Sequence, residues 1–229
     1  LMLIPLTLTP SFADFCQFCR QRSRVTVMPS ICGHCLSRLP FRPKRIPVSF
    51  AELQVILPPL VSKMIICPFY YTGVVRQSIL RMKFSGRWHT ARAFGPLLAN
   101  AVRRERVVAD WIVPVPLHDS RLKQRGFNQA EKLAVFMGSA LDLPVRKSWL
   151  VRREDTPRQS EAEEGARFRA VLNAFEVPEN IRLDNQAVLL VDDVYTTGAT
   201  LAAAAKTLAA AGAYVQPVVL ASNQGKPMI

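Results

Sequence analysis

The sequence predicts an α/β protein: a parallel sheet flanked by helices, with a small metal-held subdomain in front of it. Three observations predict this. From about residue 64 onward, short apolar runs alternate with amphipathic helical patterns, the order that builds right-handed crossovers and a parallel sheet. Four of the five cysteines fall in two Cys-x-x-Cys pairs near the start. One apolar run then leads straight into two acids and a turn rich in hydroxyls, "VLLVDDVYTTGATL", residues 188–201.

Length and composition bound the reading. At 229 residues, 49% of them apolar, the chain can build one ordinary domain with a core and a small appendage, and disorder is not expected. No stretch approaches 18 uninterrupted apolar residues, so no membrane span is expected. The opening "LMLIPLTLTPSFAD" has some look of an export leader. It lacks a basic start, however, and Pro5 and Pro10 interrupt it, so a segment packed on the domain and a cytoplasmic protein are expected. The net charge of +13 is lopsided: residues 1–110 hold 16 Lys/Arg against 4 Asp/Glu, residues 111–229 hold 14 against 13. That asymmetry fits a nucleic-acid or phosphate partner met by the N-terminal half, and equally fits a plain basic surface.

The head comes first, over residues 1–40. Cys16-x-x-Cys19 and Cys32-x-x-Cys35 are separated by twelve residues, a spacing that sets four thiolates at the corners of a tetrahedron around zinc. Disulfides are disfavoured by a cytoplasmic address, and no strand precedes Cys16 as a redox pair would need. Four protein ligands leave no open position, so the site is read as structural, replacing the core that about forty residues cannot build. His34 is not needed as a ligand, and Cys67, isolated in "IICPFYY", is read as an inert core residue. Around the pairs lie Arg20, Arg22, Arg24, Arg38, Arg42, Lys44 and Arg45, interleaved with Phe12, Phe15, Phe18 and Phe41. Such a mixture suits single-stranded DNA, whose phosphates meet the cations while bases stack on rings; the rings could equally form the head's own small core. Residues 41–63, proline-rich, read as a linker packed across the next domain.

The main domain, 64–229, follows element by element. "MIICPFYY" is strand-like; "GVVRQSILRMKF" and "RAFGPLLANAVRR" repeat apolar residues at three and four and read as helices. "DWIVPVPL" is a buried strand. "NQAEKLAVFMGSAL" is a helix opened by Asn128 with Glu131 three later. "SWLV" and "FEV" are short strands, and then come the strand "QAVLLVDD", the helix "TLAAAAKTLAAAG" and the strand "AYVQPVVLAS". Ligands of such sheets sit beyond the carboxyl ends of the strands, where Asp192 and Asp193 are expected as the apolar run stops.

An acidic pair gains nothing from packing there. The turn after it offers Thr196, Thr197, Gly198, Ala199 and Thr200: consecutive amides, hydroxyls, a residue free to take positive φ and a helix N-terminus, together an anion cradle. Carboxylates beside a phosphate cradle accept bonds from hydroxyls. A ligand carrying a phosphate and a vicinal diol is a ribose 5-phosphate.

At this point the chain resembles a known group. "VLLVDDVYTTGATL" is similar to the 5-phosphoribosyl 1-pyrophosphate (PRPP) signature of type I phosphoribosyltransferases. "VPVPLHDSRLKQRGFNQAEKLA" (113–134), with the four-cysteine finger, resembles the ComF/GntX group of competence-type phosphoribosyltransferase-like proteins. The resemblance covers nearly the whole chain. It implies a type I phosphoribosyltransferase-like sheet and Mg²⁺ bound with PRPP. Asp192 and Asp193 would hold the ribose hydroxyls, Thr196–Thr200 the 5-phosphate, and Arg125, Gly126 and Phe127 would form the pyrophosphate loop, with Arg121 and Lys123 adding charge. Segment 152–175 would then be a closing loop; Arg152, Thr156, Gln159 and Arg167 fit the group's pattern, while Ala162 and Ala170 depart from it. Two functions stand. One is transfer of the phosphoribosyl group to a nucleobase or nucleic-acid-linked acceptor. The other is a non-catalytic PRPP-sensing, single-stranded-DNA-binding module of DNA uptake. A homodimer or a competence-machinery partner is compatible with both.

Overall fold

The computed structural model of the protein describes residues 15–21, 26–28, 31–47, 61–153 and 174–225. In the head, β1 (Thr26–Met28) pairs antiparallel with β2 (Ile31–Cys32), which runs into the short helix α1 (Gly33–Ser37). Next, β3 (Ile46–Pro47) pairs antiparallel with β4 (Met64–Ile65). The main body then runs β5 (Phe69–Tyr70), α2 (Gly73–Phe84), a 3₁₀ turn at Trp88–Thr90, α3 (Ala91–Arg104), β6 (Trp111–Pro114), α4 (Asp119–Arg125) and α5 (Gln129–Leu141). It closes with β7 (Val151–Arg152), β8 (Phe175–Glu176), β9 (Ala187–Tyr195), α6 (Ala199–Ala210) and β10 (Tyr214–Ser222).

Four of these strands form the sheet, in the order β5-β10-β9-β6, and every pairing is parallel. This is the α/β class expected, and the pattern of β9 explains why it holds. Leu189 and Val191 pack in one cluster with α2, α3 and α5, while Val188 and Leu190 pack in another with α6. A strand that buries both alternating sets must be covered on both faces, which crossover helices do. On the first face α3 and α5 touch closely: a Cβ built on Gly95 would lie 2.4 Å from Phe136 Cβ. On the second, Ala202, Ala203, Ala204 and Ala205 of α6 are buried, so the alanine run is a close-packing surface. The head is not separate from this core. Phe18 stacks on Phe94 of α3 at 4.9 Å, and Phe41, after the head, bridges and stacks on Phe69 of β5 at 5.0 Å.

Four expectations change. The strand containing the acids does not stop at them; β9 continues to Tyr195, paired with β10 throughout, and it is the neighbour β6 that ends, at Pro114 opposite Val191. "MIICPFYY" is two strands with different partners, β4 on β3 and β5 on β10. "SWLV" is mostly turn; only its end joins the antiparallel pair β7–β8, apart from the main sheet. "DSRLKQR", read as loop, is helix α4, capped by the His118 ring on Ser120 and ended by Gly126 at φ 76°.

Candidate functional site

Because β6 stops four residues before β9, the carboxyl edge of the sheet has a step, and a cavity of about 300 Å³ fills it. Its floor is the segment that follows β6 (Val115, Pro116, Leu117), its wall the start of α5, and its far side β9 and the turn into α6. Asn128 fixes the wall. Its amide donates to the Val115 carbonyl at 2.9 Å, while its carbonyl oxygen accepts from the Ala130 amide at 3.0 Å, capping α5. The expected cap is therefore present, although Glu131 reaches Lys147 at 3.6 Å.

Asp192, Asp193, Thr196 and Thr200 line this cavity, as does Arg125, so five of the residues expected to bind are brought together. Thr197, Gly198 and Ala199 form the turn without lining it. Gly198, at φ 83°, is the N-cap of α6 and takes a left-handed geometry that favours glycine. Gly126 and Phe127 lie beyond the lining, and Lys123 is exposed on α4. Arg121 lines the cavity from α4, and Arg152, buried, does so from β7. Thr156, Ala162, Gln159, Arg167 and Ala170 fall outside the described residues, as do Phe12, Arg22 and Arg24.

Lys83 is the residue that sequence reasoning missed. From the last turn of α2 its Nζ reaches Asp193 Oδ2 at 2.9 Å, with both side chains mostly buried. Asp192 differs from its neighbour. Burial pushes its carboxyl up to about 7, and the charge of Asp193 adds to this; the Asp193 amide, donating to Asp192 Oδ1 at 2.7 Å, and the cations Lys83 and Arg152 work the other way. Four cations thus face two acids, in a cavity with threonine hydroxyls and a helix N-terminus at one end. Such a site can hold an anion at the turn, hydroxyls at the acids and a second, diffuse anion among the guanidinium groups.

The head holds a second constellation. The Sγ atoms of Cys16, Cys19, Cys32 and Cys35 all lie within 4.8 Å of one another, with Cys19 and Cys32 3.8 Å apart. Tetrahedral zinc at about 2.3 Å from each sulfur needs edges of about 3.8 Å, so the donors fit such an ion. Burial raises the Cys16 thiol, but donors from Cys32, Cys19 and Phe18 outweigh it and bring it down to about 7. Burial and the neighbouring thiols push Cys35 the other way. Four cysteine sulfurs this close form a donor set that could hold a metal ion such as zinc. His34 stays out of the cluster and meets Arg38 at 3.1 Å, and burial pushes Cys67 up to about 12, as befits an inert thiol. Three described members of the basic-aromatic set are taken up by the fold. Phe18 is core, Arg42 is buried against Tyr70 and the Gln224 carbonyl, and Arg45 pairs with Glu105. Among the described residues of that surface, Phe15, Arg20, Arg38, Phe41 and Lys44 remain exposed.

Comparisons with known proteins place these features. No family model matches the chain. It is similar to Competence protein F of Haemophilus influenzae, 32% identical over 184 residues, covering 77% of each chain. It is also similar to the DNA utilization protein YhgH of Escherichia coli K12, 30% identical over 187 residues, 80% of this chain and 73% of that one. Among solved structures, adenine phosphoribosyltransferase from Leishmania tarentolae aligns loosely, with a TM-score of 0.42 and 12% identity over 73% of this chain and 94% of that one. On the identity and shared length of the first of these relatives, the chain belongs to the competence protein F (ComF) family.

Proposed function

We propose that the chain binds PRPP with Mg²⁺ in the cavity at the end of β9 and transfers its phosphoribosyl group to a nucleobase or nucleic-acid-linked acceptor. The observation that carries this is the convergence on one 300 Å³ step of an acidic pair, a threonine turn at a helix start, and four cations. In this reading Thr196 to Thr200 cradle the 5-phosphate, Asp192 and Asp193 accept from the ribose hydroxyls, and Arg121, Arg125, Lys83 and Arg152 neutralise the diphosphate. Mg²⁺ bound with PRPP would supply positive charge to the diphosphate, and Asp192 and Asp193 are the carboxylates that would lie beside it. A lone pair of the acceptor forms the new bond to the anomeric carbon as the bond from that carbon to the diphosphate oxygen breaks, through an oxocarbenium-like transition state, and the leaving group carries its electron pair into the basic side of the cavity. The protein's own work is placement and charge neutralisation. In the head, zinc held by Cys16, Cys19, Cys32 and Cys35 would supply cross-linking and no chemistry. The names of the relatives support a role in DNA uptake or utilisation, which we place in the cytoplasm.

Calorimetry with PRPP and Mg²⁺ tests the site. The wild type should bind, Asp192→Asn with Asp193→Asn should abolish binding, and unchanged affinity in the double variant refutes the assignment. One observation favours a second reading, a PRPP-sensing module without turnover: Lys83 already sits on Asp193. That reading predicts PRPP binding with no pyrophosphate release across bases and single strands, and salt-sensitive single-stranded DNA binding through the head.

A further inference from the structure

The end of α2 has a second feature. Lys83 and Phe84 are adjacent, about 100° apart around the helix, so when one turns inward the other faces out. Lys83 points into the cavity onto Asp193, whereas Phe84, the final residue of α2, keeps 65% of its surface open. Arg125 joins the two environments: it lines the cavity, and its guanidinium lies 6.0 Å from the centroid of the Phe84 ring. Gln129 sets that arrangement, accepting from Arg125 Nη1 at 3.1 Å while its own amide reaches the Met82 carbonyl at 3.5 Å. An exposed aromatic ring thus lies against a guanidinium that lines the site. Beyond it the chain turns at Gly86, φ 63°, into the 3₁₀ turn, where Trp88 stacks on His89 at 4.1 Å with Lys132 Nζ 5.0 Å from its ring. Residues 84–90 carry Arg87 and His89 and no acid.

We propose that Phe84 is a stacking platform for a planar nucleobase, delivered either free or as part of a single strand, at the mouth of the phosphoribosyl site. This rests on the reading of the cavity given above and names the class of its acceptor. A phenyl ring with one guanidinium beside it still has open surface, and every nucleobase presents a π-face to such a ring whatever its hydrogen-bonding edge. Cations at Arg87, Arg125 and Lys132 meet the phosphates of a strand, or the electron-rich edge of a free base. Arg125 lines the cavity and also lies against the ring, so a base stacked on the ring's open surface would be separated from the sugar site by that guanidinium.

The test uses the whole chain, with adenine and with a single-stranded oligodeoxyadenylate of about ten nucleotides as probes, each titrated with and without PRPP and Mg²⁺. Phe84→Ala and Phe84→Leu should each weaken binding of whichever probe the wild type takes by about tenfold. Phe84→Trp should retain it, and PRPP affinity should stay within about twofold in all three, since stacking and sugar binding use different groups. Adenine binding identifies a free base as the source; oligonucleotide binding alone identifies a strand. If Phe84→Ala or Phe84→Leu binds the probe as the wild type does, or if the wild type takes neither probe, the platform is overturned. Failure of PRPP to bind while the base still needs Phe84 would instead sink the cavity assignment and leave the platform standing.

Discussion

Asp192 and Asp193 are neighbours in unlike surroundings, and the difference has a measurable consequence. Burial and the charge of Asp193 hold the Asp192 carboxyl at about 7, against 3.8 for an ordinary aspartate. Between those values the folded chain keeps a proton that the unfolded chain has released. The contribution to stability is therefore complete below about pH 4 and is lost as pH rises toward 7. Asp192→Asn cannot titrate, so the stability of the wild type relative to this variant should fall by roughly 3–4 kcal/mol between the two ends of that window. Urea unfolding of both proteins at each end checks the sign, and a wild type that gains on the variant as pH rises contradicts it. Lys83 carries a second prediction. Lys83→Met leaves the mostly buried Asp193 without its ammonium and should cost about 1–3 kcal/mol. Adding Asp193→Asn should recover most of that loss, which a double-mutant cycle by chemical unfolding reads directly. Nothing in the sequence announced Lys83. The helical period marks Val75, Ser78, Ile79 and Met82 as the buried face, and a lysine beside that face is ordinarily solvated. The acid pair and threonine turn were legible because no packing argument accounts for Asp-Asp.

At the scale of elements, what the sequence showed depended on how much each element buries. β9, β10, α3, α5 and α6 are long and lie in the two cores, so apolar runs and three-four periodicity reported them. Helix α4 buries no residue at all, so its seven residues show no apolar stripe; the only pointers were Asp119 in its first turn and Gly126 at its end. Strands β7 and β8 have two residues each, too few for an alternation to be seen. The end of a strand is likewise set by its neighbours: β9 extends past the acids because β10 accompanies it, and the cavity exists because β6 does not. Helix α3 runs through Gly95-Pro96, and the glycine has a packing reason. An alanine methyl there would meet Phe136 Cβ at 2.4 Å and the Phe136 carbonyl carbon at 2.7 Å. Gly95→Ala should thus force α3 and α5 apart and cost about 1–3 kcal/mol despite alanine's better helix propensity. A rise in melting temperature for this variant would show that the two helices do not meet as described.

Over the whole molecule, the head and the sheet share one core. Cys16, Phe18, Ile31, Cys35 and Leu39, from the segment read as a zinc-finger subdomain, are buried in the same cluster as Phe69, Phe94 and Leu98. Spacing reveals a ligand set but not the surface it packs on; only the contact of Phe18 with Phe94 and the buried face of Cys16 and Cys35 show that. The consequence concerns metal removal. If zinc only held a tethered finger, stripping it would unfold that finger and leave the domain's melting point alone. With a shared core, loss of a metal held by the four cysteines would uncover one side of Phe94 and Phe69, which form their own ring pair at 6.0 Å. The apolar faces of α3 then lose cover that they have in the intact chain. Cys19→Ser or treatment with a strong chelator should therefore lower the melting temperature of the single main transition by several degrees, about the shift that a loss of 1–2 kcal/mol produces at this size. Hydrogen exchange should locate the change: amide protection should fall in α1 and β2 and, to a smaller degree, in α3, while α6 on the opposite face keeps its protection. Protection lost in the head alone, with an unshifted main transition, would mean that the two parts are energetically separate and that the buried contact at Phe94 contributes nothing to the domain.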